Sequence, residues 1–327
     1  MVRQLPKEAE MFSGVDKSWK EIMCKVSKIP LAIEAGTQPG LLETFQNNNI
    51  VLEKIMKCLE AYLESKCDAF PRMYCLSNEE LLIILSQIKN PDAVQPYLRN
   101  CFDAINKLEY KDNEIIGIIS SEGEKVSFDK NIIPDGNVEE YLSKVEEEMI
   151  LSLKKLMKSS FEDFKNCKRE EWLTKWQSQI ILTVSQTMWC KNITNILDGN
   201  FNRIEALKEF EKKSLNDLNS LAKLVLKEVP ELFRLAIASL IVIDVHAKDV
   251  VKNMINDQVD DKSKFEWLSQ LRYYWDNETD NSIVRISNSM HVYGYEYLGA
   301  SPRLVITPLS ERCHISLMNA LELNLGK

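Results

Sequence analysis

What is scarce in this chain of 327 residues narrows its chemistry before any motif is weighed. Histidine occurs three times, at His246, His291 and His314, and no two of the eight cysteines stand at Cys-x-x-Cys spacing, so a zinc site has little to build on and no metal ligands are assigned. Most of the cysteines fall among apolar positions at helical spacing, where a free thiol acts as a small buried hydrophobe, which fits a reducing, cytosolic compartment. Excess positive charge is also missing: 41 Lys and Arg against 49 Asp and Glu leave a net charge of -8, which disfavours a nucleic-acid binder that works by neutralising phosphates. Long apolar runs are absent. The most hydrophobic one, Leu235 to Val245, is about half of the ~20 residues a bilayer requires and contains Ser239 and Asp244, so it reads as a buried helix and no membrane partner is expected. The first residues, Met1 to Glu8, carry no apolar core of a secretory signal.

Glycine and proline, ten each, are too few to interrupt the dominant pattern, in which apolar residues recur at steps of three and four. From Glu139 to Phe164 the set Leu142, Val145, Met149, Leu153, Leu156, Met157, Ser160 and Phe164 defines one face of a long helix and leaves Glu146, Glu147, Lys154 and Lys158 to solvent. Similar patterns predict helices over Ile50 to Tyr62, Trp172 to Leu197, Ile204 to Val229 and, after Pro230, Glu231 to Asn256. Ser77 with Glu80 has the form of a capping box, placing a helix start there, with Asn90-Pro91 as its stop and Pro91 opening a second short helix. Between Glu114 and Ile133 the β-branched run Ile115, Ile116, Ile118 and Ile119, the turn Ser121-Glu122-Gly123-Glu124, then Val126 and Phe128 predict a β-hairpin inserted among helices. It is either a contact element or a cover for a helix end. A polar loop, Asp276 to Asn281, is the expected boundary between two regions, with strands after it. No internal repeat argues for a solenoid.

Catalytic patterns are missing too. There is no Gly-x-x-x-x-Gly-Lys-Ser/Thr loop to cradle phosphate; the sole Gly-Lys pair is Gly326-Lys327, without the first glycine or the hydroxyl. No Gly-x-Ser-x-Gly, His-Glu-x-x-His or Cys and His arrangement suggests a nucleophile or a metalloprotease. The run Glu146-Glu147-Glu148 is best taken as a solvated helix face. No catalytic residue is assigned. The aromatic group Trp267, Tyr273, Tyr274 and Trp275 is either a docking surface or, as helical spacing favours, core. Ser310, after Thr307-Pro308-Leu309, is the expected N-cap of a further helix.

Three tracts stand in a telling order: Phe70-Pro71-Arg72-Met73-Tyr74 running into Leu76-Ser77-Asn78-Glu79-Glu80-Leu81-Leu82; Phe265-Glu266-Trp267-Leu268-Ser269-Gln270-Leu271-Arg272-Tyr273-Tyr274; and Tyr293-Gly294-Tyr295-Glu296-Tyr297-Leu298-Gly299 followed by Leu304-Val305-Ile306-Thr307-Pro308-Leu309-Ser310-Glu311-Arg312-Cys313. Together they resemble the dynein heavy chain family where the linker passes into the first AAA+ module. Phe70-Pro71-Arg72, the turn at 121 to 124 and Ser301-Pro302-Arg303-Leu304-Val305-Ile306-Thr307-Pro308-Leu309 incline the resemblance towards axonemal dyneins. Met73 and Cys75 stand where the family usually has bulkier aromatics, and Ser310-Glu311 where Thr-Asp is commoner.

The resemblance implies a mainly α fold: an elongated bundle of long helices with one inserted β-hairpin and a short α/β start of an AAA+ module at the C-terminus. Residues 1–281 would be linker and 282–327 the first part of that module. It implies that Leu304, Val305, Ile306, Thr307 and Pro308 form a strand-like wall on the adenine side of the first AAA+ site, with Ser310, Arg312 and Cys313 opening the next helix. An apolar β segment offers a base a flat wall, and Thr307 with backbone groups can bond its edge. The implied role is mechanical: the linker bends and straightens as the ring turns over ATP, driving movement along microtubules in cilia or flagella, with a hinge expected near Asn106 to Lys111 and Glu114 to Ile133. Implied partners are the AAA+ ring of the same heavy chain, dynein intermediate and light chains and, indirectly, microtubules, in the cytoplasmic cytoskeleton and the axoneme. ATP and Mg belong to full-length relatives; no cofactor and no ATPase activity are expected of this chain alone. The alternative is a non-motor helical scaffold or adaptor derived from a dynein linker. Lacking the rest of the module, Val305, Ile306, Leu317 and Leu321 are expected to stay uncovered and to drive self-association.

Overall fold

The computed structural model describes residues 4–28, 31–86, 91–199 and 202–325; the helix stop expected at Asn90 and the pair Gly326-Lys327 lie outside them. Among the described residues the fold is mainly α with a small β part, twelve α-helices and two three-stranded antiparallel sheets. The chain divides into two compact units, one of residues 1–101 with 134–144, the other of residues 102–133 with 145–327.

The first unit holds helices α1 (Pro6–Lys28), α2 (Ala32–Gly36), α3 (Leu41–Ala69), α4 (Asn78–Ser86) and α5 (Leu98–Cys101). Helices α1 and α3 lie side by side, with the rings of Trp19 and Phe45 6.1 Å apart and the Asn48 amide donating to Ser18 Oγ. The capping box before α4 is present: Ser77 N–H donates to Glu80 Oε2 at 2.8 Å, and Glu80 N–H donates to Ser77 Oγ at 3.3 Å. Phe70 and Met73 are buried beside the 3-10 turn Pro71–Cys75, where Arg72 Nη1 donates to the Cys101 carbonyl at 3.2 Å. Pro91 opens a 3-10 stretch, Pro91–Tyr97, that leads into α5. The first turns of α6 (Val138–Asn166) complete the unit, with Glu139 accepting from Lys66 Nζ.

In the second unit the expected hairpin is β2 (Glu114–Ile119) and β3 (Lys125–Ile132), extended by a strand the sequence pattern did not announce, β1 (Lys107–Lys111). Asp112 and Asn113, both at positive φ, make the two-residue turn that joins β1 to β2. Gly117 sits at an irregularity where any Cβ would lie 2.5 Å from the Val126 carbonyl, so only glycine lets β2 and β3 close there. The sheet meets α6 through backbone N–H groups of Asp129 and Lys130, which donate to Ser152 Oγ and Glu148 Oε1, both at 3.0 Å. This corrects the solvated face expected for Glu146-Glu147-Glu148: Glu147 is exposed, but Glu148 is buried because its carboxylate caps a strand amide.

The helix expected over Trp172 to Leu197 is two, α7 (Arg169–Leu173) and α8 (Ser178–Asp198). Trp172 is fully buried, donating its indole N–H to Ser160 and meeting Phe164 edge-on at 4.8 Å, and this anchor ends α7 before the chain turns into α8. Helix α9 (Arg203–Val225), capped by Asn202 accepting from Glu205 N–H, stops short of the expected Val229, while α10 (Glu231–Asn256) follows Pro230 directly. Cys190, Ile193, Leu207, Val251 and Met254 pack with Trp267 of α11 (Phe265–Leu268) into one core. Tyr273, Tyr274 and Trp275 then lie on β4 (Arg272–Asp276), not on a helix, half-buried where Trp267 is wholly so. The polar stretch 276–281 turns a hairpin: β4 pairs with β5 (Asn281–Ile286) on either side of it, and Asp276 accepts from the Glu278 and Thr279 backbone and from the Thr279 hydroxyl. Strand β6 (Ser289–Val292) completes the sheet, and α12 (Pro308–Glu322) ends the described chain. No helix among the described residues is long and apolar enough to cross a membrane.

Candidate functional site

The tract Tyr293 to Ala300 has no regular secondary structure, yet Tyr295, Tyr297 and Ala300 are buried. Polar groups in such a segment need partners: Glu124 holds a side-chain hydroxyl of the tract and Gln179 holds its backbone. Glu124, at the end of the β2–β3 turn, is buried; its Oε1 accepts from the backbone N–H and hydroxyl of Ser178 at 2.8 and 2.7 Å, and its Oε2 accepts from the Tyr297 hydroxyl at 2.8 Å. A carboxylate on the first N–H of α8 caps the helix and faces the positive end of its dipole, which offsets the cost of burying the charge. Burial, then the Glu124 charge, pushes the Tyr297 phenol far above its ordinary range, so it stays a donor. The hairpin turn, open between two roles in the sequence, covers a helix end.

Gln179, also on the first turn of α8 and fully buried, uses both ends of its amide. Nε2 donates to Tyr293 Oη and the Glu296 carbonyl at 2.8 and 2.6 Å, and Oε1 accepts from Leu298 N–H at 2.9 Å. Gly299 adopts φ +60°, with the side chains of Ser120 and Ala104 3.3 and 3.4 Å from where a Cβ would sit. Tyr295 Oη accepts from Ser282 N–H at 2.8 Å and ties the tract to β5.

Beyond this clasp the chain changes character. The strand expected over Leu304 to Pro308 does not form: residues 304–307 have no regular secondary structure and pair with none of the six strands, and Pro308 already belongs to α12. Leu304 is 89% and Val305 70% exposed, Ile306 is half-buried, Thr307 is the N-cap of α12 and Pro308 its first residue. Ser310, expected as the N-cap, is the third helical residue: its N–H donates to Thr307 Oγ1, and its own Oγ accepts from Thr307 N–H at 2.8 Å. The fixed φ of Pro308 suits the first helical position and starts the helix earlier. Arg312 and Cys313 stand exposed on the early turns of α12.

Two clefts flank the segment within this unit. The larger, about 430 Å³, runs along Leu304 to Ile306 and is walled by Tyr273, Tyr293 and Arg303; its volume suits a small molecule. The smaller, about 210 Å³, lies between Val305 to Pro308 and α10 at His246 and Asp249. Burial drives the Tyr273 phenol well up, with the Arg303 guanidinium pulling the other way. The larger cleft can present apolar walls, aromatic rings and one guanidinium to a ligand. Among the described residues no group of three His, Cys, Asp or Glu side chains could hold a metal ion.

Residues 1–160 match the family described as dynein heavy chain, N-terminal region 2, and residues 293–327 match the family described as the hydrolytic ATP binding site of the dynein motor region. The chain belongs to the dynein heavy chain family. It is 52% identical over 99% of its length to human dynein axonemal heavy chain 6, 43% identical over its whole length to mouse dynein axonemal heavy chain 12, and 42% identical over its whole length to human dynein axonemal heavy chain 3. The chain spans 8 to 10% of the length of these dynein heavy chains. The second matched stretch begins at the tract clasped by Glu124 and Gln179 and contains Leu304, Val305, Ile306, Thr307 and Pro308. Nothing in the matches supports a non-motor scaffold.

Sequence reasoning found the turn at 121–124 and the Tyr293–Gly299 tract but not what joins them. Glu124 and Gln179 act across 173 and 119 positions, on Tyr297 and Leu298, and no local pattern marks such partners.

Proposed function

We propose that the chain is the part of an axonemal dynein heavy chain that passes force from the nucleotide-driven ring into the linker, and that the Glu124 and Gln179 clasp is where the two are joined. The observation that carries this reading is the clasp itself: the tract at the head of the ATP-site match is gripped by buried groups from α8 and the β2–β3 turn. A buried, fully bonded joint transmits displacement with little give, whereas an exposed one would fray. We place the passage from linker to module in the span 282–293, between the expected boundary and the start of the second match.

On this reading Leu304, Val305, Ile306, Thr307 and Pro308 form the adenine-side wall of a nucleotide site whose phosphate-binding groups belong to the remainder of the heavy chain, with ATP and Mg as its ligands there. The exposure of Leu304 and Val305 supports this, since a wall awaiting a base is uncovered. The chain alone is then no ATPase. Its partners are the AAA+ ring of the same heavy chain, intermediate and light chains and, at a distance, microtubules, in the axoneme of cilia or flagella.

The test is a graft. Residues 1–327 replace the corresponding stretch of human dynein axonemal heavy chain 6, and ATP turnover and microtubule gliding are measured in the purified motor. Retained gliding is expected. ATP turnover with gliding lost, or phosphate release by the isolated 327-residue chain, would overturn the proposal.

A further inference from the structure

Helix α8 carries two polar groups, one turn apart on the same face, that its packing buries and leaves unpaired. Ser185 is 8% exposed and its hydroxyl has no hydrogen-bond partner, and the buried indole N–H of Trp189 has none either. Arg169, the first residue of α7, donates from Nη2 to Asp244 Oδ2 at 2.6 Å but keeps a buried Nε–H without an acceptor. All three residues line one cleft of about 110 Å³, closed on its other sides by α9 and α10. An unpaired buried donor is costly, and three such groups meeting at one space call for an occupant that accepts from them. Lys213 of α9 is exposed at the lining, so the cleft reaches the surface.

We propose that this cleft binds a small neutral molecule that carries a carboxamide on a short apolar body. Its charged lining residues, Arg169 and Lys213 against Asp217 and Asp244, already balance, so an anion would enter uncompensated beside Asp244. The N–H groups of Arg169 and Trp189 can only donate, and they take the carbonyl oxygen. Asp217 Oδ2 lies 3.8 Å from Arg169 Nη1, too far for a hydrogen bond, and takes the amide N–H. Ser185 can serve either side of the head, and Met188 and Phe210 receive the alkyl end. A ketone lacks the donor, and a carboxylate lacks it too while adding charge. The volume holds about three waters or one molecule of roughly five heavy atoms. These residues lie outside both matched stretches, 1–160 and 293–327, so the site stands apart from the nucleotide reading above.

Propionamide is the probe and propionate its charged counterpart. Each is titrated into the purified chain carrying nitrogen-15 tryptophan, the six indole N–H resonances are followed, and Trp189→Phe identifies the Trp189 signal by its loss. Propionamide should shift that signal saturably, with half-saturation on the order of 10 mM for so small a ligand. The indoles of Trp172 and Trp176, already bonded to Ser160 and Asp163, should not move. Propionate should need at least about tenfold more, because it brings an unbalanced charge. Ser185→Ala should raise the propionamide half-saturation roughly two- to tenfold, the loss of one hydrogen bond. A Trp189 signal that does not saturate, which would mean that water alone meets these donors, overturns the proposal, as does propionate binding as tightly or unchanged binding by Ser185→Ala. Should Ser185→Ala fail to fold, the unaltered chain decides: nuclear Overhauser contacts from the propionamide methyl to the Phe210 ring support the site, and their absence at saturation overturns it.

Discussion

Helices α8 and α12 start in similar ways and end in opposite circumstances. Each has its first turn capped by side-chain oxygen, α8 by Glu124 and α12 by Thr307, yet α8 buries twelve of its 21 residues and α12 none of its 15. The difference lies in where the instructions are written. The cap of α12 comes from the residue just before it, with Ser310 closing the box, so the helix is specified locally and can form with little around it. The cap of α8 comes from 54 positions away and is in place only when the β2–β3 turn is. Helix α8 is therefore fastened into a finished core, and α12 is a preformed piece lying on a surface.

The hardest test of that contrast is to remove the distant cap. Glu124→Ala leaves the Ser178 N–H and hydroxyl and the Tyr297 hydroxyl without their acceptor in a buried site, and should destabilise the second unit by about 3 kcal/mol. Urea denaturation checks it, and Glu124→Gln, which keeps acceptor oxygen, should lose distinctly less. A loss below about 0.5 kcal/mol for Glu124→Ala would mean that α8 does not depend on the turn.

Gly299 tests the same clasp from the other side. At φ +60° a Cβ is strained, and the Ser120 and Ala104 side chains leave it only tight contact, so Gly299→Ala should destabilise by about 1–2 kcal/mol and raise exchange of the Leu298 amide. An unchanged denaturation midpoint would show that the tract can shift at no cost. Thr307→Ala should act only nearby, weakening the α12 start by about 1 kcal/mol, seen as faster amide exchange at 308–312 with the global denaturation midpoint unmoved.

These cases also show how much was legible in the sequence. Helix α10 was expected with the bounds it has, because Pro230 fixes its start and its apolar stripe is uninterrupted. The capping box at Ser77 and Glu80 and the turn at 121–124 rest on neighbouring residues and were equally plain. What escaped depended on partners far along the chain. Strand β1 went unread, its residues taken only as part of a hinge near Asn106 to Lys111, because its alternation, Leu108 inward between Lys107 and Glu109, gains meaning only beside β2. Glu148 looked solvated because the amide it caps belongs to β3. Leu304 to Pro308 erred the other way: its β-branched composition suits a strand, but composition cannot supply the adjoining edge a strand needs. The residues of the wall were nameable, and the clasp that positions them was not.

The mildest perturbation bears on α12 alone. Leu317 and Leu321 are 60% and 63% exposed and stand one helical turn apart, so they share one face, to which the exposed Leu309, Leu323 and Leu325 add further apolar surface near the helix ends. An apolar face that nothing in the unit covers drives association when chains meet. Replacing both, Leu317→Glu with Leu321→Lys, removes that drive and sets opposite charges at i and i+4, in the orientation that favours a helix. Because neither side chain is buried, unfolding free energy should change by less than about 0.5 kcal/mol. Light scattering at rising concentration should show the unaltered chain growing in apparent mass and the double variant staying a monomer. If instead the double variant unfolds at markedly lower urea, α12 is packed more like α8 than its exposure indicates, and the contrast between them fails. If both chains stay monomeric at every concentration, the face is too weakly apolar to recruit a partner by itself, and what covers it in a longer heavy chain must be held there by that chain's own connectivity.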